Sequence, residues 1–141
     1  MELNCSLLLV DDDEEFLEIL ARRFRRRGVS VQAATNAYGA ICAAERNGFQ
    51  VAILDRSIAG QDGVELMVRL REQRPELQVI LLSGYGDAQS IAHARRRGAF
   101  DYLVKPSSLA DLEAAVARAY RESRSITAAQ ARRLSPVSHA R

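Results

Sequence analysis

Short apolar runs alternate with stretches of helical period along this chain, up to about residue 121. Leu7-Leu8-Leu9-Val10 is an unbroken apolar run ending in acid, which predicts a strand buried on both faces. Over 14–27, Phe16, Leu20 and Phe24 recur every fourth residue beside Leu17 and Ala21, one face of a helix that Gly28 stops. A short strand over 29–33, a helix over 36–47 and a second buried strand over 51–54, ending at Asp55, come next. Residues 58–62, with Gly60, read as a loop. The helix after it carries Val64, Met67 and Leu70 inward and leaves at Pro75. Val79-Ile80-Leu81-Leu82 is another apolar run, ending at Ser83, and Asp87 can cap a helix running to Gly98. Residues 100–104 make the last strand, and Ser108 and Asp111 have capping-box spacing ahead of Leu112 and Val116.

Five strands thus alternate with five helices through short connections. That pattern predicts an α/β fold: one parallel sheet, right-handed crossovers and helices on both faces. A length of 141 residues suits a single domain. We place its boundary at 1–121. Residues 122–141 carry Arg124, Arg132, Arg133 and Arg141 against Glu122 with few large apolar side chains, so a basic, disordered tail is expected there.

Composition removes several classes of function. The formal charge is only +2, which argues against direct nucleic acid binding driven by electrostatics. The arginine runs at 22–23, 25–27 and 95–97 read as solvated helix faces with snorkelling arms. No apolar run approaches the length of a membrane span, and no secretory signal pattern is visible. Cys5 and Cys42 lack metal-like spacing and read as reduced thiols of a cytoplasmic protein. Among the 20 basic residues a single one, Lys105, is lysine.

In a parallel α/β sheet, ligands sit beyond the carboxyl ends of the strands. The residues found there are Asp11 and Asp12, Asp55, Ser83 and Lys105. Two carboxylates about 4 Å apart repel by roughly 4 kcal/mol at an effective dielectric near 20, so a proton or a cation must relieve the cluster. Oxygen-only ligands suit magnesium. Acids, Mg2+, an ammonium and a hydroxyl together fit phosphoryl transfer, where positioning and charge neutralisation do most of the work. Taken singly, each has a plainer reading: the aspartates as a helix start, Ser83 as an ordinary strand end. Asp13 is read as a helix-start residue only.

The segments LLLVDDDEEF, VAILDRSIAGQDGVEL, VILLSGYGD and GAFDYLVKP, in this order and spacing, resemble the receiver domain of bacterial two-component response regulators over residues 3 to 121. The resemblance implies a flavodoxin-like sheet of order 2-1-3-4-5. It implies Asp55 as acceptor of a phosphoryl group from a sensor histidine kinase or phosphotransfer protein. Asp12 would bind Mg2+ directly, Asp11 through a metal-bound water, and Ser57 through its backbone carbonyl. Ser83 and Lys105 would hold phosphoryl oxygens. Ser83 would also act with Tyr102 as a switch, and the Lys105-Pro106 peptide would be cis. Such a chain signals by contact with a downstream protein target, with homodimerisation on phosphorylation left open; it takes part in its own phosphotransfer and hydrolysis but is not a metabolic enzyme. Ala59 stands where many members have proline, which implies a looser loop. Arg56 is a cation where an apolar residue is frequent.

Two related readings stay open: a pseudo-receiver that is never phosphorylated, and the front part of a longer DNA-binding regulator. A haloacid-dehalogenase-like phosphatase would want an acid where Ser57 stands. A flavin carrier would want a phosphate loop where the chain has Asp11 to Asp13.

Overall fold

The computed structural model of this chain describes residues 4–105 and 107–134. Its elements follow in the order β1 (Ser6–Val10), α1 (Glu14–Arg26), β2 (Ser30–Ala34), α2 (Ala37–Arg46), β3 (Val51–Asp55), α3 (Gly63–Gln73), β4 (Gln78–Ser83), α4 (Ala88–Arg96), β5 (Asp101–Val104) and α5 (Leu109–Leu134). The five strands form one parallel sheet of order β2-β1-β3-β4-β5. This is the flavodoxin-like order, and it reverses direction between β1 and β3.

Alternation along each strand sorts the core into two layers. Leu8, Val10, Ala52, Leu54, Val79 and Leu81 face one side, packed with Ala40 and Ala44 of α2, Met67 and Leu70 of α3 and Ala94 of α4. Leu7, Leu9, Val51, Ile53, Ile80 and Leu82 face the other, against Leu17, Leu20 and Phe24 of α1 and Leu112, Ala115 and Val116 of α5. The central strands are buried on both faces, which is why they read as unbroken apolar runs. No helix among the described residues is long and apolar enough to cross a membrane.

The helix starts follow local chemistry. Asp13, Asn36, Asp62 and Asp87 each cap a helix with a side-chain oxygen that accepts from an amide in the first turn. Ser108 does the same for α5, its hydroxyl accepting from the Asp111 amide at 3.0 Å.

Two expectations need correction. The loop over 58–62 is a small antiparallel ribbon, Ser57–Ile58 against Gln61–Asp62. Its two tip residues, Ala59 and Gly60, both have positive φ, 51° and 82°. That is the backbone of a tight two-residue hairpin turn, and proline, with φ fixed near −65°, could not take it at Ala59. The second correction concerns the tail: α5 continues without a break through residues 122–134. Ala, Arg, Gln and Leu are good helix formers, and a helix already nucleated and packed up to Ser123 needs little apolar surface to propagate. The remainder of the expected tail, 135–141, and Pro106 with its expected cis bond lie outside the described residues.

Candidate functional site

The sheet brings the acids together at the point where its strand order reverses. Asp11 directly follows β1 and Asp55 ends β3; the two strands are hydrogen-bonded neighbours in the register Val10↔Leu54. Carboxylate oxygens of Asp11, Asp12 and Asp55 lie within 4.8 Å of one another. Asp11 is buried, Asp55 half-buried and Asp12 exposed.

Lys105, just past β5, reaches back across β4 into this cluster. Its Nζ lies 3.1 Å from Asp11 Oδ2 and 3.4 Å from Asp55 Oδ2. The same nitrogen stands 4.9 Å from the centroid of the Phe16 ring. Burial works against the ammonium, but the hydrogen bond and charge of Asp11, with the charge of Asp55, outweigh it and raise the Lys105 pKa. For Asp11, burial is the largest influence and pushes the carboxyl upward; the Asp13 amide and Lys105 pull it down without cancelling the rise. Three acids against one ammonium leave a half-buried excess of negative charge. A hard divalent cation that takes oxygen ligands fits this donor set.

The remaining site residues frame the acids. The Asp13 amide donates to Asp11 Oδ1 at 2.9 Å, while the Asp13 side chain caps α1 by accepting from the Phe16 amide at 3.1 Å. Asp12 Oδ2 accepts from the Ala59 amide at 3.0 Å, and Asp55 Oδ1 accepts from the Ser57 amide at 3.3 Å. Ser83 is buried at the end of β4, and its hydroxyl accepts from the Tyr85 amide at 3.1 Å. Tyr102 on β5 points inward and is buried, its hydroxyl donating to the Tyr85 carbonyl at 2.7 Å. Tyr85 thus ties the Ser83 hydroxyl to the Tyr102 ring through one residue of backbone. A cavity of about 430 Å3 opens beside these groups, lined among others by Arg56, Ser57, Ser83, Tyr85 and Tyr102. Arg56 Nε lies 3.6 Å from Asp62 Oδ1, on the cavity wall.

The structure therefore gathers Asp11, Asp12, Asp55 and Lys105 into one cluster, with Ser57, Ser83 and Tyr102 around it. Two participants were not legible beforehand. Phe16 reads as one more apolar residue of α1, and nothing in the spacing shows that its ring meets Lys105. Gly63 looks like a routine helix start. In fact its amide donates to the Arg56 carbonyl at 2.7 Å, and a methyl group there would lie on the Asp55 carbonyl oxygen. Cys5, by contrast, is a core thiol with no part in the site: burial pushes its pKa up to about 12.

Comparison with known proteins agrees with this geometry. Residues 7–117 match the family model of the response regulator receiver domain. The photosynthetic apparatus regulatory protein RegA of Rhodobacter capsulatus is 36% identical over 107 residues, which cover 76% of this chain and 58% of RegA. The transcriptional activator protein PfeR of Pseudomonas aeruginosa is 41% identical over 108 residues, 77% of this chain and 35% of PfeR. The receiver domain of NtrX from Brucella abortus superposes with a TM-score of 0.76 at 30% identity, covering 82% of this chain and 98% of that one. A CheY-like receiver domain protein from Methanospirillum hungatei gives 0.81 at 25% identity, over 86% and 97% of the two chains. The chain thus spans less than two thirds of the length of RegA and of PfeR. With its sheet order, its acid cluster and its match over residues 7–117, this chain belongs to the response regulator receiver domain family of two-component signalling.

Proposed function

We propose that Asp55 is a phospho-acceptor, charged by a sensor histidine kinase or a phosphotransfer protein, and that its phosphorylation switches a protein-contact surface. The observation that carries this reading is the Asp55 carboxylate, in reach of both a second acid pair and the Lys105 ammonium at 3.4 Å. An Asp55 oxygen attacks the phosphorus of the phosphohistidine. The O–P bond forms as the P–N bond breaks, and the imidazole leaves with the bonding pair. Water later attacks the phosphorus of the acyl phosphate; the aspartyl O–P bond breaks, inorganic phosphate leaves and the Asp55 carboxylate returns, so the chain assists its own turnover without acting on a metabolite.

Asp11, Asp12, Asp55 and the Ser57 backbone carbonyl would hold Mg2+, which when bound neutralises the acid cluster and polarises phosphoryl oxygens. Lys105 adds a fixed positive charge at Asp55 Oδ2, while Asp55 Oδ1 takes the Ser57 amide. Ser83 donates its hydroxyl to a phosphoryl oxygen and so turns away from the Tyr85 amide. That loosens the segment whose carbonyl holds Tyr102, and the α4–β5 surface follows.

Intact-mass spectrometry after incubation with acetyl phosphate and Mg2+ tests the reading. Wild type should gain one phosphoryl mass of about 80 Da and Asp55→Asn none, as expected for a single covalent phosphate. Absence of both the adduct and a stable beryllofluoride complex in wild type would leave a pseudo-receiver. A second reading makes this receiver the front part of a longer regulator with a DNA-binding output. The match to PfeR, which covers 35% of that transcriptional activator, favours it. A reading frame continuing past Arg141 at the genomic locus into a segment that binds DNA would establish it, and a stop codon there would remove it.

A further inference from the structure

We propose that Phe16 is a positioning residue whose ring face holds the Lys105 ammonium on Asp11 and Asp55. The inference rests on the phospho-acceptor reading for its consequence, but its geometry stands separately. Lys105 is the only lysine of the chain. Its side chain is 31% exposed, so water competes for the ammonium. A flexible four-carbon stem gives lysine many ways to leave a site. Here the Nζ is held from two directions: Asp11 at 3.1 Å with Asp55 at 3.4 Å on one side, and the Phe16 ring centroid at 4.9 Å on another. That distance is within the range where the negative face of an aromatic ring attracts a cation, and the attraction strengthens as water is excluded.

The ring is placed for this by its own element. Asp13 caps α1 by accepting from the Phe16 amide, so the residue that opens the helix also fixes the backbone of the residue beneath the lysine. The ring borders two spaces. One, a sliver of about 10 Å3, is lined by Leu9, Asp11, Asp55 and Leu82. The other, a mostly apolar pocket of about 210 Å3, is lined by Leu82, Lys105, Ser107 and Leu112. Phe16 lines both. With Leu82 it therefore borders both the space beside Asp11 and Asp55 and the pocket beside Lys105. Without the ring the lysine could swing into the widened pocket, leaving both carboxylates short of a cation.

The lone lysine makes the test direct. Labelling the full chain with 13C-lysine gives a single side-chain spectrum, that of Lys105. In wild type its ε-methylene protons should lie upfield of free lysine through the ring current of Phe16. Phe16→Leu should return them to the free position, and Phe16→Tyr should keep the shift. With acetyl phosphate and saturating Mg2+, Phe16→Leu should slow phosphorylation of Asp55 about fivefold, the size expected of one partly desolvated cation–aromatic contact. Mg2+ affinity should stay at the wild-type level, and Phe16→Tyr should restore the rate. In a Lys105→Met background Phe16→Leu should cost nothing further. No upfield shift in wild type would overturn the proposal, as would an unchanged rate in a Phe16→Leu protein that has lost the shift. A wild type that shows the shift yet takes no phosphoryl group would overturn the acceptor reading and leave the stacking intact.

Discussion

At Gly63 the chain has no room for a side chain. The first residue of α3 lies against the backbone of Asp55 and Arg56, and a Cβ there would sit 3.1 Å from both Arg56 Cα and the Arg56 carbonyl oxygen, besides overlapping the Asp55 carbonyl. β3 and the next helix are thus welded at the strand end that carries Asp55. Gly63→Ala should cost about 1–3 kcal/mol in urea unfolding, as overpacking of a rigid backbone contact does. Ala59 is the opposite case. It holds φ at 51°, a conformation that disfavours any side chain, and it donates its amide to Asp12. Ala59→Gly should therefore stabilise the protein, by up to about 1 kcal/mol. Ala59→Pro should destabilise it, since proline has neither that φ nor an amide hydrogen. Equal midpoints for the two variants in urea would contradict this account.

Between elements, a polar clamp joins the two helices that cover one face of the sheet. Glu113 of α5 accepts from Arg23 Nε at 2.9 Å and Arg27 Nε at 3.0 Å, at the end of α1. The Arg23 hydrogen bond is the main influence holding the Glu113 carboxyl below its ordinary pKa of 4.5; burial opposes it and Arg27 reinforces it. A depressed carboxyl pKa means the folded state binds its proton less readily than the unfolded chain. The clamp's contribution is thus complete above the unfolded value and fades as pH falls through the folded one. Glu113→Gln should lower stability at pH 7 by about 1 kcal/mol, the upper end for a partly exposed pair, and wild type and variant should converge under strongly acidic conditions. Legibility also divides at this scale. β1, β3 and β4 were plain because each is buried on both faces and so is apolar at nearly every position. The strand-end acids and Lys105 were plain because parallel strands present their carboxyl ends on one edge. The ribbon at 57–62 was not, because its turn is Ala-Gly rather than Asn-Gly or Asp-Gly. Nor was the far end of α5, where helix-forming but weakly apolar residues carry no inward stripe for the eye to follow.

The extension of α5 leaves one mark on the molecule as a whole. Ser123 is 1% exposed, and its hydroxyl has no hydrogen-bond partner among the described residues, although its carbonyl accepts from Thr127. A buried, unpaired hydroxyl is unfavourable, and alanine is the better helix former. Ser123→Ala should raise global stability by about 1 kcal/mol, read as a higher urea midpoint; a lower midpoint would mean that the hydroxyl has a partner in solution. The charge balance of the site acts on the same scale and in the opposite sense. Asp11, Asp12 and Asp55 repel one another with, among the described residues, only Lys105 to offset them, so the fold carries a penalty that a bound divalent cation would remove. Saturating Mg2+, at about 100 times its dissociation constant, should stabilise wild type by about 2.7 kcal/mol through binding to the folded state alone. Asp12→Asn removes one repelling charge while keeping an oxygen for the Ala59 amide, so without Mg2+ this variant should melt above wild type. With Mg2+ it should gain far less, and the order of the two midpoints should reverse. If Asp12→Asn instead melts below wild type without Mg2+, the acid cluster is not the source of strain that its geometry implies.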